Sequence, residues 1–164
     1  MRHVIIGNSF AGIFAAEAIR KRSEGDEITI ISQEPQRPYS RAMIHELLAG
    51  LVDERLVYMR DADFFETLRI EPLLGRQVTG IDPSSKTVKT DDGGVEYDRL
   101  LISTGGAPFI PPIEGLDSVA SHTFTTMDDA TGLQKAAADA KSAVVVGAGL
   151  IGLQCGEALA TLGV

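Results

Sequence analysis

Short apolar runs and glycine turns alternate along this chain in an order that points to a fold class. Residues 3–6 read His-Val-Ile-Ile, and Gly7-Asn8-Ser9-Phe10-Ala11-Gly12 follows at once. A run this brief, β-branched and free of polar alternation is what a parallel strand covered on both faces presents. Residues 10–22 predict a helix. Ala11, Ala15 and Ala18 give it small residues suited to close packing on a sheet, and Glu17 precedes Arg20 and Lys21 on a shared solvent face. Gly25 is the expected stop. Residues 27–32, Glu-Ile-Thr-Ile-Ile-Ser, make a second strand, with Glu34 just beyond it. Strand, glycine turn, helix, strand and acid together imply a right-handed βαβ unit.

Further on, residues 41–68 read as helical and irregular, and residues 70–81 as β-like. Residues 87–90 and 95–97 flank Asp91-Asp92-Gly93-Gly94, a hairpin signal. Arg99-Leu100-Leu101-Ile102-Ser103 is another buried strand, and it runs into Thr104-Gly105. Residues 107–115, with Pro108, Pro111 and Pro112, resist regular structure and read as a linker. Thr126 is placed to cap a helix over residues 127–140. The opening pattern then returns: Ala-Val-Val-Val at 143–146, Gly147-Ala148-Gly149-Leu150-Ile151-Gly152, and a helix ending near Gly163.

The two glycine turns are the candidate chemistry. In Gly147-x-Gly149-x-x-Gly152 the first glycine allows a tight turn, the second lets backbone approach a pyrophosphate, and the third lets helix pack on strand. The helix start then offers free N–H groups and a partial positive charge to phosphates. In the first turn Ser9 stands where the second glycine belongs; it is small, and its hydroxyl can donate to phosphate. Glu34 adds to this turn, because an acid beyond the second strand can accept hydrogen bonds from a ribose diol. One such turn is often only a packing device. Two of them, separated by the strand end at Thr104-Gly105, point to nucleotides.

Composition removes several other classes. The 164 residues carry a formal net charge of −8, which opposes binding to a phosphate backbone, and with no Trp a base-stacking surface is poorly supplied. No uncharged run reaches the ~18 residues of a spanning helix, and the N-terminus lacks a signal-peptide pattern. A single cysteine, Cys155, excludes an internal disulfide framework. These absences read as a cytoplasmic protein with neither nucleic-acid nor membrane partners. His3, His45 and His122 show no metal-ligand spacing, and no metal site is expected. Asp91-Asp92 and Asp128-Asp129 fall in a turn and a first helical turn, where acids are common for local reasons. No residue is assigned as a catalytic acid or base.

The order of motifs resembles the two-dinucleotide-binding flavoproteins, the pyridine-nucleotide-disulfide oxidoreductases, over essentially the whole chain. Pro38-Tyr39-Ser40-Arg41 and Leu47-Leu48-Ala49-Gly50 look most like the ferredoxin and rubredoxin reductases and the flavin module of assimilatory nitrite reductases. Residues 97–105, followed by Pro108 and Pro111-Pro112-Ile113-Glu114-Gly115, are similar to that family's second flavin-contacting segment and exit linker. The resemblance implies an α/β fold. A Rossmann-like FAD-binding domain, a parallel sheet plus a β-meander, would fill residues 1–110. A linker and crossover helix would occupy 111–141, and the opening of a second Rossmann-like, NAD(P)-binding domain 142–164. It also implies that Gly7, Ser9, Phe10, Ala11 and Gly12 hold the FAD pyrophosphate and that Glu34 binds the adenosine ribose. Arg41 would lie near the pyrophosphate and flavin, Val78 would present backbone to the adenine, and Thr104 and Gly105 would close over the cofactor. Gly147, Gly149 and Gly152 would hold the NAD(P)H pyrophosphate.

The implied activity is hydride transfer from NAD(P)H to FAD, then electron transfer to an external acceptor: an iron–sulfur or rubredoxin-type protein, a nitrite reductase module, or oxygen. The alternative is a non-catalytic FAD- or nucleotide-binding module or subunit. Three departures bear on the choice. His45-Glu46 stands where relatives often have Ser-Lys, Gln154 where many carry a glutamate, and no Cys pair is present for internal dithiol chemistry. Cys155 reads as a small buried residue. Residues 143–146 resemble a strand from the middle of a sheet whose neighbours are not in this sequence. The segment 142–164 is therefore expected to be disordered, docked on a second copy in a homodimer or swapped assembly, or placed differently than in the family. The chain alone is expected to lack turnover.

Overall fold

The computed structural model describes residues 1–164, and the apolar runs near its start become a parallel sheet. In chain order the elements are β1 (Arg2–Ile6), α1 (Phe10–Arg22), β2 (Glu27–Ser32), a 3-10 turn (Arg41–Met43), α2 (Ile44–Leu48), α3 (Glu54–Val57) and α4 (Phe64–Thr67). They continue with β3 (Ile70–Leu74), β4 (Val78–Asp82), β5 (Thr87–Thr90), β6 (Gly93–Glu96), β7 (Arg99–Ile102), α5 (Met127–Ala137) and α6 (Leu150–Thr161). They fall into two units, one of Met1–Tyr39 with Tyr58–Gly105, the other of Ser40–Val57 with Gly106–Val164.

In the first unit the parallel sheet runs β3-β2-β1-β7, and a separate antiparallel sheet runs β4-β5-β6. The continuous apolar character of β1 and β2 follows from burial on both faces. Ile5, Ile28 and Ile30 pack with Ile13 and Ala16 of α1 and with Phe64 and Phe65 of α4. Val4, Ile6 and Ile31 point the other way, onto Val88 and Tyr97 beneath the meander. Residues 70–81, expected as one β-like stretch, divide between the two sheets. The break falls at Gly75, whose φ of +69° turns the chain after β3. The hairpin turn is tighter than expected: Thr90 pairs with Gly93, so both glycines of the turn signal lie in β6.

Three expectations for α1 change in three dimensions. The face it lays on the sheet is Gly12, Ile13 and Ala16, whereas Ala11 and Ala18 are exposed. Its end is not set by Gly25: the cap is Ser23, whose N–H reaches the Ile19 carbonyl. Arg20 does not share the solvent face of Glu17 but is buried. Its Nε donates to the Leu68 carbonyl, Nη1 to those of Ser23, Glu24 and Asp26, and Nη2 to that of Arg69. Arg69 itself has φ +49°, a left-handed conformation unusual for a side-chain-bearing residue. Glu17 pairs instead with Arg60, at 2.7 Å. Arg60 lies 43 residues from Glu17, and the Leu68 and Arg69 carbonyls lie 48 and 49 residues from Arg20, beyond the reach of helical spacing.

In the second unit α2 packs against α5 and α6, burying Ile44 and Leu48 with Met127, Ala130, Ala137, Cys155, Ala158 and Leu159. Gln134 Nε2 donates to the Leu47 and Leu48 carbonyls at the end of α2, at 3.4 and 3.2 Å. As expected, Thr126 caps α5, and the cap is a full capping box with Asp129. Burial alone would push the Asp129 carboxyl upward. Hydrogen bonds from the Thr125 and Thr126 N–H groups and the Thr123 and Thr125 hydroxyls outweigh it and hold the carboxyl below the ordinary aspartate range. A depressed folded-state pKa adds stability above the unfolded value of about 3.9 and loses it as pH falls through the folded value. Asp129→Ala is expected to cost about 1–2 kcal/mol at neutral pH. In urea unfolding, the gap to wild type should shrink below about pH 4.

Residues 143–146 pair with no strand, and Val144 is 90% exposed. Of the outcomes expected for 142–164, disorder of the whole segment does not describe it, because α6 forms and buries one side. A β-branched run makes a strand only where a neighbour supplies backbone partners.

Candidate functional site

The parallel pairing sets Ile6 level with Ile31 on one side and Ile102 on the other. The carboxyl ends of β1, β2 and β7 therefore lie side by side. The first βα connection from β1 leads to β2, while β7 lies across β1, so the sheet order reverses at β1. In open parallel sheets that reversal, at the carboxyl ends, is where a ligand crevice opens.

The turn at this point is built by contacts a side chain would destroy. Gly7 has φ +117°, and a Cβ there would lie 2.2 Å from the Ser103 carbonyl oxygen. A Cβ on Gly12 would lie 2.0 Å from the Gly7 carbonyl oxygen. Gly7 N–H donates to the Ile31 carbonyl at 2.8 Å, while both the N–H and the hydroxyl of Ser103 donate to the Ile6 carbonyl. Ser9 is the extended N-cap of α1 and makes no side-chain cap bond. The first α1 amides, on Phe10, Ala11 and Gly12, have no acceptor within the helix and start at the sheet's carboxyl edge.

Glu34 follows β2, its backbone carbonyl accepting from Gly75 N–H. Its carboxylate Oε2 accepts a hydrogen bond from the Tyr39 hydroxyl. Asn8, inside the turn, donates through Nδ2 to the Gln36 carbonyl at 3.1 Å, tying turn to acid-bearing loop. Asn8 Oδ1 is buried with no hydrogen-bond partner; a buried acceptor of this kind is what an ordered water or a ligand hydroxyl satisfies. Thr104 and Gly105 are exposed just past β7, and Gly105 has φ +69°. Val78 opens β4, its side chain packed against the core beneath β1 and β2.

The remaining expected residues belong to the second unit. Arg41 donates through Nη1 to the Thr125 carbonyl at 2.6 Å, beside the cap of α5. Gly147 has φ +118°, and a Cβ on Gly152 would lie 2.2 Å from the Gly147 carbonyl oxygen. Gly149 is the extended N-cap of α6. This turn repeats the glycine geometry of the first, but nothing lies within 4 Å of a Cβ built on Gly147, so no strand end backs it.

Three contributors escaped the sequence reading. Asn8, Ser103 and Tyr39 carry no site signal of their own in the sequence. Ser103 could have been flagged by its place at the end of an apolar strand, beside Thr104-Gly105. Neither its contact with Gly7 nor that of Tyr39 with Glu34 follows from spacing.

Residues 1–164 match the family model of pyridine nucleotide-disulphide oxidoreductases from end to end. The chain belongs to that family. Among curated relatives, the epsilon subunit of an NADH-dependent phenylglyoxylate dehydrogenase of Aromatoleum evansii is 34% identical over 99% of the chain. A nitrite reductase [NAD(P)H] of Bacillus subtilis is 34% identical over 98%. The chain spans 39% and 20% of the lengths of these two relatives. Among solved structures, a NAD-dependent persulfide reductase of A. fulgidus superposes with a TM-score of 0.88 at 34% identity, covering 99% of this chain and 32% of that one. The expected fold class, a parallel sheet with an antiparallel meander, is that of the family. No helix is long and apolar enough to cross a membrane, and no cluster of His, Cys, Asp and Glu could hold a metal ion.

Proposed function

We propose that this chain supplies the FAD half-site, and the opening of the NAD(P)H half-site, of a flavoprotein oxidoreductase. One observation carries the reading. The Gly7–Gly12 turn, closed to side chains, stands at the sheet's reversal point with Glu34 fixed at the end of the adjacent strand. The amides of residues 10–12 and the positive end of α1 suit linked phosphates. Glu34 suits the ribose diol, Ser9 adds a hydroxyl at the phosphates, Val78 is assigned to present backbone to the adenine, and Thr104 and Gly105 are assigned to close over the cofactor. When bound, FAD supplies the hydride-accepting and electron-passing chemistry, and the protein supplies binding and orientation. Gly147, Gly149 and Gly152 suit the NAD(P)H pyrophosphate by the same geometry, and Arg41 is assigned to the cofactor's phosphate or flavin side.

In the whole protein the electrons would go to an external acceptor: a small iron protein, an iron–sulfur or haem module, or oxygen. Residues 142–164 would dock on further polypeptide or on a second copy. The second glycine turn has no strand end behind it, which favours a chain that binds flavin by itself without turning over.

Colour tests the proposal. The purified chain should show flavin absorbance or gain it on incubation with FAD, and NADH should not bleach it. A wild-type chain that stays colourless at saturating FAD would overturn the reading. Glu34→Ala removes an acceptor of charge-assisted hydrogen bonds, worth about 1.5–3 kcal/mol. It should raise the FAD dissociation constant about ten- to a hundredfold, as read by fluorescence quenching, while FMN, which lacks the adenosine, binds as before.

A further inference from the structure

We infer that Tyr39 is a positioning residue for Glu34, holding its carboxylate in the one setting that accepts a nucleotide ribose diol; this rests on the FAD reading above. The Glu34 side chain is only part-buried, and a carboxylate on three rotatable bonds has several settings open to it. Both backbones around it are pinned. At the Glu34 end, Gly75 N–H reaches the Glu34 carbonyl and Arg76 N–H the Ser32 carbonyl, tying the loop after β2 to the end of β3. Around Tyr39, Met59 N–H donates to the Pro38 carbonyl at 2.8 Å, and Tyr39 forms an antiparallel bridge with Tyr58. Pro38 is fully buried and the Tyr39 side chain is buried beside it.

A rigid ring on a pinned backbone thus aims its hydroxyl at Oε2 of Glu34. A phenol O–H donated to a carboxylate is charge-assisted and directional, so it selects a carboxylate setting as well as stabilising it. Preorganisation of this kind reduces the rotamer entropy lost when the sugar binds. Selectivity follows as well, because a carboxylate fixed in place cannot swing aside for a ribose lacking one hydroxyl. Tyr39 acts through Glu34 and is not assigned a contact with the cofactor.

The test uses the 164-residue chain and two ligands, FAD and an FAD analogue carrying 2′-deoxyadenosine. Wild type should prefer FAD. Tyr39→Phe keeps the buried ring and removes one oxygen. It should weaken FAD about tenfold, weaken the analogue little, and so shrink the preference. In a Glu34→Ala background Tyr39→Phe should have no further effect on either ligand, a coupling that a merely structural role would not produce. Melting of the ligand-free proteins reports folding. Unchanged FAD binding by a folded Tyr39→Phe chain, equal weakening of both ligands, or persistence of the full effect without Glu34 would each overturn the inference while leaving the flavin site standing. A wild-type chain that binds neither ligand would overturn the flavin reading itself, and this inference with it.

Discussion

Gly12→Ala is expected to remove flavin binding and much of the stability of the first unit in a single step. The added carbon would lie 2.0 Å from the Gly7 carbonyl oxygen, far inside van der Waals contact, and the atom it meets is backbone. Neither side can yield cheaply. Gly7 is held by its N–H bond to Ile31 and its close approach to Ser103, at a φ of +117° open to glycine. Residue 12 lies in the first turn of α1, on top of β1. Relief means lifting the helix start away from the strand, which opens the packing of Ile13 and Ala16 on Ile5 and misdirects the amides assigned to the phosphates. Overpacking against fixed atoms costs about 1–3 kcal/mol or more, which for a chain of this size lowers the melting temperature by roughly 2–12 °C. FAD affinity should fall by more than about a hundredfold, since each misplaced charge-assisted bond is worth more than a tenfold factor. Gly25→Ala is the control, because nothing lies within 4 Å of a Cβ there. Melting with and without FAD, on both variants, reads the two effects separately; wild-type flavin affinity in a folded Gly12→Ala chain would contradict the assignment of this turn.

Arg20→Met is expected to be as damaging to stability and nearly silent in binding. The methionine fills much of the space of the arginine stem but leaves five carbonyls, those of Ser23, Glu24, Asp26, Leu68 and Arg69, without their donor. These join the end of α1, the entry to β2 and the entry to β3. At about 1 kcal/mol net for each bond, less where water replaces the donor, the loss is about 3–5 kcal/mol. Arg20→Lys should recover less than half, because a single ammonium cannot span carbonyls that the planar fork reaches from three nitrogens. Urea unfolding measures the loss. Because Arg20 makes none of the contacts of the Gly7–Gly12 turn, FAD affinity in the surviving folded population should match wild type. A Met variant unfolding at the wild-type urea concentration would show that the clamp contributes nothing.

Much of the first unit was legible in the chain itself. Brief apolar runs at 3–6 and 27–32 read as strands covered on both faces, and they are. The run at 99–102, expected as a buried strand, is a strand at the sheet's edge with Leu101 and Ile102 exposed. A glycine turn between the first strand and a helix carries its own conformational reason. The linker prolines and the Thr126 cap were equally local. Glu34 was legible as an acid beyond β2, because the distance from a strand end is a sequence quantity. The fate of 143–146 was not, since strand formation there depends on a neighbour's hydrogen bonds rather than on the residues' own preference. Nor was the split of residues 70–81 between two sheets.

The sequence by itself determined the local vocabulary of this protein: where the chain must turn through glycine, which acid follows which strand, and the family these share. Tertiary structure alone decided the partners. Arg20, spaced for a surface ion pair with Glu17, is instead buried on carbonyls up to 49 residues away. Ser103 meets Gly7 only because β7 pairs with β1, and Tyr39 is aimed at Glu34 only because its backbone is pinned beside Tyr58. The reason is geometric: propensity and periodicity act over a few residues, whereas a hydrogen bond between distant segments exists only once the sheet has brought their backbones to the same level.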